Sequence, residues 1–233
     1  MLFSFPLDNA AAVCYADDVE KTYFLPKGKV PTMKKSFRFF ALVLAALMLT
    51  ALVSCDTAAA AKKYSRGTVD GNVFTSTFSG LTFTKPDDWV YYTDEEIADA
   101  TGTALEMFKD NEAFEKAADA SLIDFYAVAE SGDNVNLSYS KGVLFTLFQP
   151  SIDKTVADTR AAYESAGITC VVGEQTDAKL GSVEMQKVTF TLTYYGVEMH
   201  QYCYFTMVGN YFMSVACTTV TGLTAADFEA MFS

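Results

Sequence analysis

Four carboxylates close together in the chain, Asp87, Asp88, Asp94 and Glu95, and a single imidazole, His200, are the side chains best suited to moving protons. Two carboxyl groups about 5 to 10 Å apart can hydrolyse a glycosidic bond, one as acid and the other as base or nucleophile. Thr93-Asp94-Glu95-Glu96 also fits a helix capping box, with Thr93 accepting from an early amide and Glu96 reaching back, so solvated loop and cap acids account for the same residues. A serine or cysteine nucleophile needs an imidazole base. His200 sits in the middle of a strand pattern, and there is no G-x-S-x-G. The sequence also lacks H-E-x-x-H, C-x-x-C, a P-loop, a dinucleotide fingerprint and a D-x-D-x-D-G calcium loop. These absences point to a protein with no catalytic residues, no metal and no cofactor; a surface hydrolase using paired carboxylates is the alternative.

One thiol offers a different chemistry. Met33-Lys34-Lys35-Ser36-Phe37-Arg38 is basic, and the 15 residues from Phe39 to Val53 are apolar except for Thr50. A basic start followed by an apolar middle is the layout of a secretory signal peptide. The apolar run falls short of the roughly 20 residues that a permanent transmembrane helix needs. Leu52-Val53-Ser54-Cys55 resembles the lipobox of bacterial lipoproteins. That resemblance implies cleavage before Cys55, diacylglyceryl transfer to its thiol, and a membrane-bound protein outside the cytoplasm. Two or more acyl chains make such a tether durable. On this reading residues 33–54 are the signal peptide. Residues 1–32, with Asp17, Asp18 and Glu20 ahead of the basic segment, are either a mis-assigned start, with Met33 the true one, or an extension that stays disordered or is removed with the signal.

Six of the 17 basic and four of the 29 acidic residues lie in the first 54, which leaves 11 and 25 and a net charge of −14 on the remaining chain. Such a body is repelled by phosphate backbones and anionic headgroups, so nucleic acid is excluded as a partner and the domain stands off the bilayer. The 179 residues after position 54 suit one domain. Cys170, Cys203 and Cys217 have no metal-like spacing, and all three read as small buried residues.

The elements follow from local pattern. Residues 55–72 are small and polar and read as a flexible tether, so the domain is set at 73–233. Val73 to Phe78 and Leu81 to Thr84 read as strands, and Trp89 as a core plug. A helix from Asp94 to about Asp110 is weakened at Thr101-Gly102-Thr103, and a short one surrounds Phe114. Leu122 to Glu130 and Val135 to Lys141 form a hairpin. Ser151 is the expected cap of a helix striped by Ile152, Val156, Thr159, Tyr163 and Ala166 and ended by Gly167. Ile168 to Gly173 is a strand. A meander then occupies Ser182 to Tyr195, Glu198 to Val208 and Tyr211 to Thr219, with turns at Gly196-Val197 and Gly209-Asn210. A last helix is capped by Thr224 and Asp227. These elements predict an α+β fold, a mostly antiparallel sheet with helices packed on it.

Alternation along the meander puts Val188, Phe190, Leu192, Cys203, Phe205, Met207, Phe212 and Ala216 on one face. The other face carries Thr189, Thr191, Thr193, Tyr195, His200, Tyr202, Tyr204, Thr206, Tyr211 and Met213. Gly80-Leu81-Thr82-Phe83-Thr84-Lys85-Pro86-Asp87-Asp88-Trp89 resembles the G-x-x-F-x-x-P-x-x-W opening of PsbP-like and Mog1-like domains, including surface lipoproteins of anaerobic Gram-positive bacteria. The resemblance implies a three-layer α/β/α sandwich around a mostly antiparallel sheet and no particular activity. Tyr195, His200, Tyr202, Tyr204 and Tyr211 are the expected binding face, because tyrosine gives broad, rigid contact with a polar tip. Helices between Asp94 and Ala118 lying over that face would instead make them packing residues. The function expected is a lipid-anchored, extracytoplasmic binding or accessory protein for an unknown protein or small ligand.

Overall fold

The computed structural model describes residues 63–117, 120–141 and 148–233. The signal-peptide segment, Cys55 and the first part of the tether lie outside the described residues. Eleven strands and five helices occur among those described. Three short strands, β1 (Thr68–Asp70), β2 (Val73–Thr75) and β3 (Thr82–Thr84), form a small antiparallel sheet. After β4 (Val90–Tyr91) come three helices, α1 (Asp94–Thr101), α2 (Glu106–Lys109) and α3 (Asn111–Lys116). Strands β5 (Ala120–Val128) and β6 (Asn134–Lys141) precede α4 (Phe148–Ser165). The chain ends with β7 (Thr169–Val172), β8 (Thr176–Leu180), β9 (Val183–Tyr194), β10 (Val197–Val208), β11 (Tyr211–Thr219) and α5 (Ala225–Glu229). The large sheet runs β4-β5-β6-β11-β10-β9-β7, with β8 also on β9, and every pairing is antiparallel. This is an α+β fold built mostly on antiparallel sheet. Among the described residues no helix is long and apolar enough to cross a membrane.

The capping signals act where the sequence places them. Thr93 and Glu96 make the reciprocal box that starts α1, and Gly102 ends it in the left-handed conformation at φ 69°. Thr224 and Asp227 repeat the box on α5. Ser151 does not cap α4. The helix already includes Phe148, and Pro150, which lacks the N–H that a first turn leaves unpaired, sits inside that turn. Ser151 is instead fully buried.

Each face of the large sheet has its own core. On one, Ile152 and Tyr163 of α4 pack on Val188, Phe190, Leu192, Cys203, Phe205 and Phe212. On the other lies an aromatic layer. Tyr64 meets Phe78, Phe114 and Tyr139 edge to face at 4.9 to 5.3 Å, and Phe83 stacks on Phe125 at 4.8 Å. Helices and the three-stranded sheet share the cover on this side, Phe114 of α3 reaching Tyr211 and Phe228 of α5 reaching Tyr202. Cys170, Cys203 and Cys217 are free and buried. Cys203 pairs in register with Ala216 and Cys217 with Tyr202, so these two thiols leave opposite faces of neighbouring strands.

Part of the segment that the sequence assigns to a tether is built into the domain. Tyr64 is 1% exposed, and Arg66 is locked by its Nε to Asp124 Oδ1 at 3.3 Å and by its Nη1 to Asp94 Oδ2 at 2.9 Å. The domain therefore begins at about residue 64, not Val73. A lone tyrosine and arginine in a polar stretch carry no period by which a sequence reading could place them.

Candidate functional site

The turn joining β9 to β10 is Tyr195-Gly196, one residue earlier than the sequence indicates, so Val197 faces Tyr194 and Cys203 faces Val188. Moving a two-residue turn by one shifts the register by two, which changes every partner and leaves every side chain on its face. The predicted split into an apolar and a Tyr/Thr face thus holds. What differs is how much of the second face is open.

Its two ends have opposite environments. Tyr204 and Tyr211 are buried at 0% and 3% exposure, and Met213 is buried with them. Tyr204 donates to Glu229 Oε1 of α5 at 3.0 Å, the same oxygen that pairs with Lys187 at 3.1 Å. Burial and the neighbouring Cys217 and Glu229 push its phenol well above the ordinary tyrosine range. These two tyrosines are removed from the expected binding face, because the aromatic layer and α5 cover them. At the other end the face is more open: Thr189, Thr191, Thr193 and His200 are half-buried, Val171 of β7 is 61% exposed and Tyr195 is 90% exposed, while Tyr202, also half-buried, is partly covered by Phe228 of α5 and donates to the Leu223 carbonyl at 3.4 Å. Register puts Val171, Thr191 and His200 in one row across β7, β9 and β10.

His200 organises this corner. Its Nδ1 lies 3.3 Å from Thr191 Oγ1, its Nε2 3.4 Å from Glu198 Oε1, and its ring stacks near Tyr202 at 6.4 Å. Acid, imidazole and hydroxyl follow one another as in a nucleophilic triad. Both contacts exceed the 2.6 to 3.2 Å that proton transfer asks for, and the Glu198 side chain is 63% exposed. A carboxylate this exposed is not a buried orienting acid of the triad kind. Tyr195 is the one non-glycine residue with positive φ, at 48°, among those described. With Gly196 at φ 78° it makes the left-handed pair a two-residue hairpin requires. Asparagine or glycine adopts this conformation more easily; a tyrosine there holds a large ring in solvent, packed edge to face on Tyr194 at 4.3 Å.

The paired-carboxylate residues have separate partners. Asp94 is bound to Arg66, Asp87 accepts from Asn72 Nδ2 at 2.5 Å, and Glu95 lies 4.0 Å from Lys109. Among the described residues no group of three or more His, Cys, Asp or Glu side chains could hold a metal ion.

Three polar clusters were invisible in the sequence. Asp124 sits at a bulge in β5, its carboxylate taking Arg66 Nε and the Gly67 amide, while Arg66 Nη1 and Nη2 donate to the carbonyls of Phe108 and Asp124. Burial pushes this carboxyl up to about 6, and the Arg66 charge only partly opposes the rise. Asp133 accepts from Thr219 Oγ1, the amides of Val220 and Thr221, Thr221 Oγ1 and Ser131 Oγ. Burial works to raise its carboxyl, but these bonds, Thr221 foremost, hold it below the usual range. Lastly, Tyr126 Oη, Asn134 Oδ1 and Asn136 Nδ2 are buried without hydrogen-bond partners. Tyr126 and Asn136 face each other across β5 and β6.

Fold and site together define an α+β protein with an open, polar and aromatic sheet corner. No protein-family model matches the chain, and no curated protein matches it. Among solved structures it is similar to the solution structure of cyanobacterial PsbP from Synechocystis, with 8% identity over 78% of this chain and 98% of that one and a TM-score of 0.43. It is also similar to a crystal structure from Bacteroides thetaiotaomicron, with 14% identity over 71% of this chain and a TM-score of 0.39. The chain spans 48% of the length of the latter.

Proposed function

We propose that the chain is a lipid-anchored extracytoplasmic binding or accessory protein that holds a partner near the membrane without altering it covalently. The observation that carries this reading is the order of segments: a basic start, an apolar run too short to span, and Leu52-Val53-Ser54-Cys55. The open corner around Tyr195 and His200, with Tyr202 at its edge, is the surface offered for binding, since a rigid aromatic beside adaptable hydroxyls suits recognition of a protein or small ligand.

Two measurements test this. Cys55→Ser is expected to abolish incorporation of labelled fatty acid and to move the protein from the membrane to the soluble fraction; an unchanged distribution defeats the anchor. A Tyr195→Ala, His200→Ala double variant is expected to lose whatever the native domain retains from solubilised membranes. Equal retention by both proteins removes the corner as the binding surface.

A further inference from the structure

We propose that the Gly209-Asn210 end of the domain is the one that meets the bilayer, and that the Tyr195 hairpin with its binding corner is held outward at the opposite end. This rests on lipid attachment at Cys55. The argument begins with where the chain enters the fold. Tyr64 packs on Tyr139 at 5.3 Å and on Tyr211 at 5.9 Å, and its amide donates to Glu115 Oε1 at 2.6 Å. Tyr211 opens β11 directly after the Gly209-Asn210 turn, and Tyr139 lies two residues before the end of β6. From there the chain climbs towards the middle of the sheet, where the Gly67 amide meets Asp124. The chain therefore enters the fold at the Gly209-Asn210 end.

Only eight residues, 56 to 63, separate Cys55 from Tyr64. Fully stretched, nine steps reach about 30 Å; as a relaxed small-residue coil they average about 15 to 18 Å. Strand β10 has 12 residues between the two turns and is about 35 to 40 Å long. Bringing the Tyr195 tip to the bilayer would lift Tyr64 beyond even the stretched reach. Repulsion between the acidic domain and anionic headgroups acts over about 8 Å at physiological salt, so it spaces the domain from the surface without inverting it.

The test uses the full-length lipidated protein in vesicles of phosphatidylethanolamine and phosphatidylglycerol carrying a headgroup energy acceptor. A donor dye is placed on Asn210→Cys or, separately, on Val197→Cys; the native thiols are 0 to 5% exposed and supply the unlabelled control. Energy transfer from position 210 is expected to exceed that from 197 several-fold. Equal or reversed transfer overturns the orientation. Inserting roughly 24 Gly/Ser residues ahead of Lys63 is expected to bring the two signals together, and a gap that survives the insertion overturns tether length as its cause. Cys55→Ser separates the claims: a variant still bound to vesicles defeats the anchor itself, whereas a missing gap in the anchored protein defeats only the orientation.

Discussion

Arg66 and Asp124 decide whether the segment before β1 belongs to the domain. The Arg66 guanidinium, 5.2 Å over the Phe108 ring, reaches two carboxylates and two carbonyls. The Asp124 carboxyl, raised to about 6 by burial, keeps its proton in the fold at pH values where the unfolded chain, near 4, has released it. Its contribution to stability is then full below pH 4 and lost as pH rises through 6. Urea midpoints measured from pH 4 to 7.5 should show the native protein losing ground against Asp124→Asn as pH rises; a gain would mean that Arg66 outweighs burial. At Tyr195 the backbone strain is local. Tyr195→Asn should raise stability by about 1 kcal/mol in thermal unfolding, because asparagine tolerates positive φ, and should weaken partner retention at the same time. Stabilisation without loss of retention would leave the exposed ring without a role.

At the scale of elements, the β5–β6 turn is pinned to the end of β11 by one side chain. Asp133→Ala removes five hydrogen bonds from partly buried donors and should cost about 2 to 4 kcal/mol at pH 7 by urea denaturation. Since its carboxyl is held below the ordinary range, that contribution is present above about pH 4 and fades as pH falls through the folded value. The gap between native and Asp133→Ala should therefore narrow in acid. The unpaired Asn136 amide predicts the opposite sign: Asn136→Leu should be neutral or stabilising by up to about 2 kcal/mol, as replacing an unsatisfied buried polar group is. A loss of stability there would reveal a water or ligand bound to the amide. What the sequence could tell of these elements follows from pattern. Alternation over 12-residue strands survived a misplaced turn, because a two-residue slip preserves faces. Strand β8, Thr-Asp-Ala-Lys-Leu, escaped because its buried face is only Ala178 and Leu180, too few residues to set a period. Ser151 was misread because a proline just before it carried the start signal.

The molecule as a whole is closed by segments that look like linker. A chain beginning at Val73 lacks Tyr64, Arg66 and β1. It should therefore expose the Phe78, Tyr139 and Tyr211 rings and leave Asp124 unpaired, with a loss of about 3 to 5 kcal/mol for the broken ion pair and rapid cleavage in limited proteolysis. A chain beginning at Lys63 should unfold like the intact domain; equal behaviour of the two would restore the longer tether. The layered α+β architecture was legible from alternation and caps. The cover over Tyr211 by Phe114 was open in the sequence as the packing alternative for this face; the domain start and the Glu229 contact on Tyr204 were not, since they depend on pairings made far apart in the chain.

Three unbonded sulfurs inside a protein proposed to work in an oxidising space have a practical consequence. Because Cys203 and Cys217 project from opposite sides of adjacent strands, the native molecule cannot join them, but an unravelled chain can. Air oxidation during refolding would thus create covalent dead ends, and renaturation should succeed with a reductant present and fail without one. In the finished molecule, shielding alone keeps these sulfurs reduced.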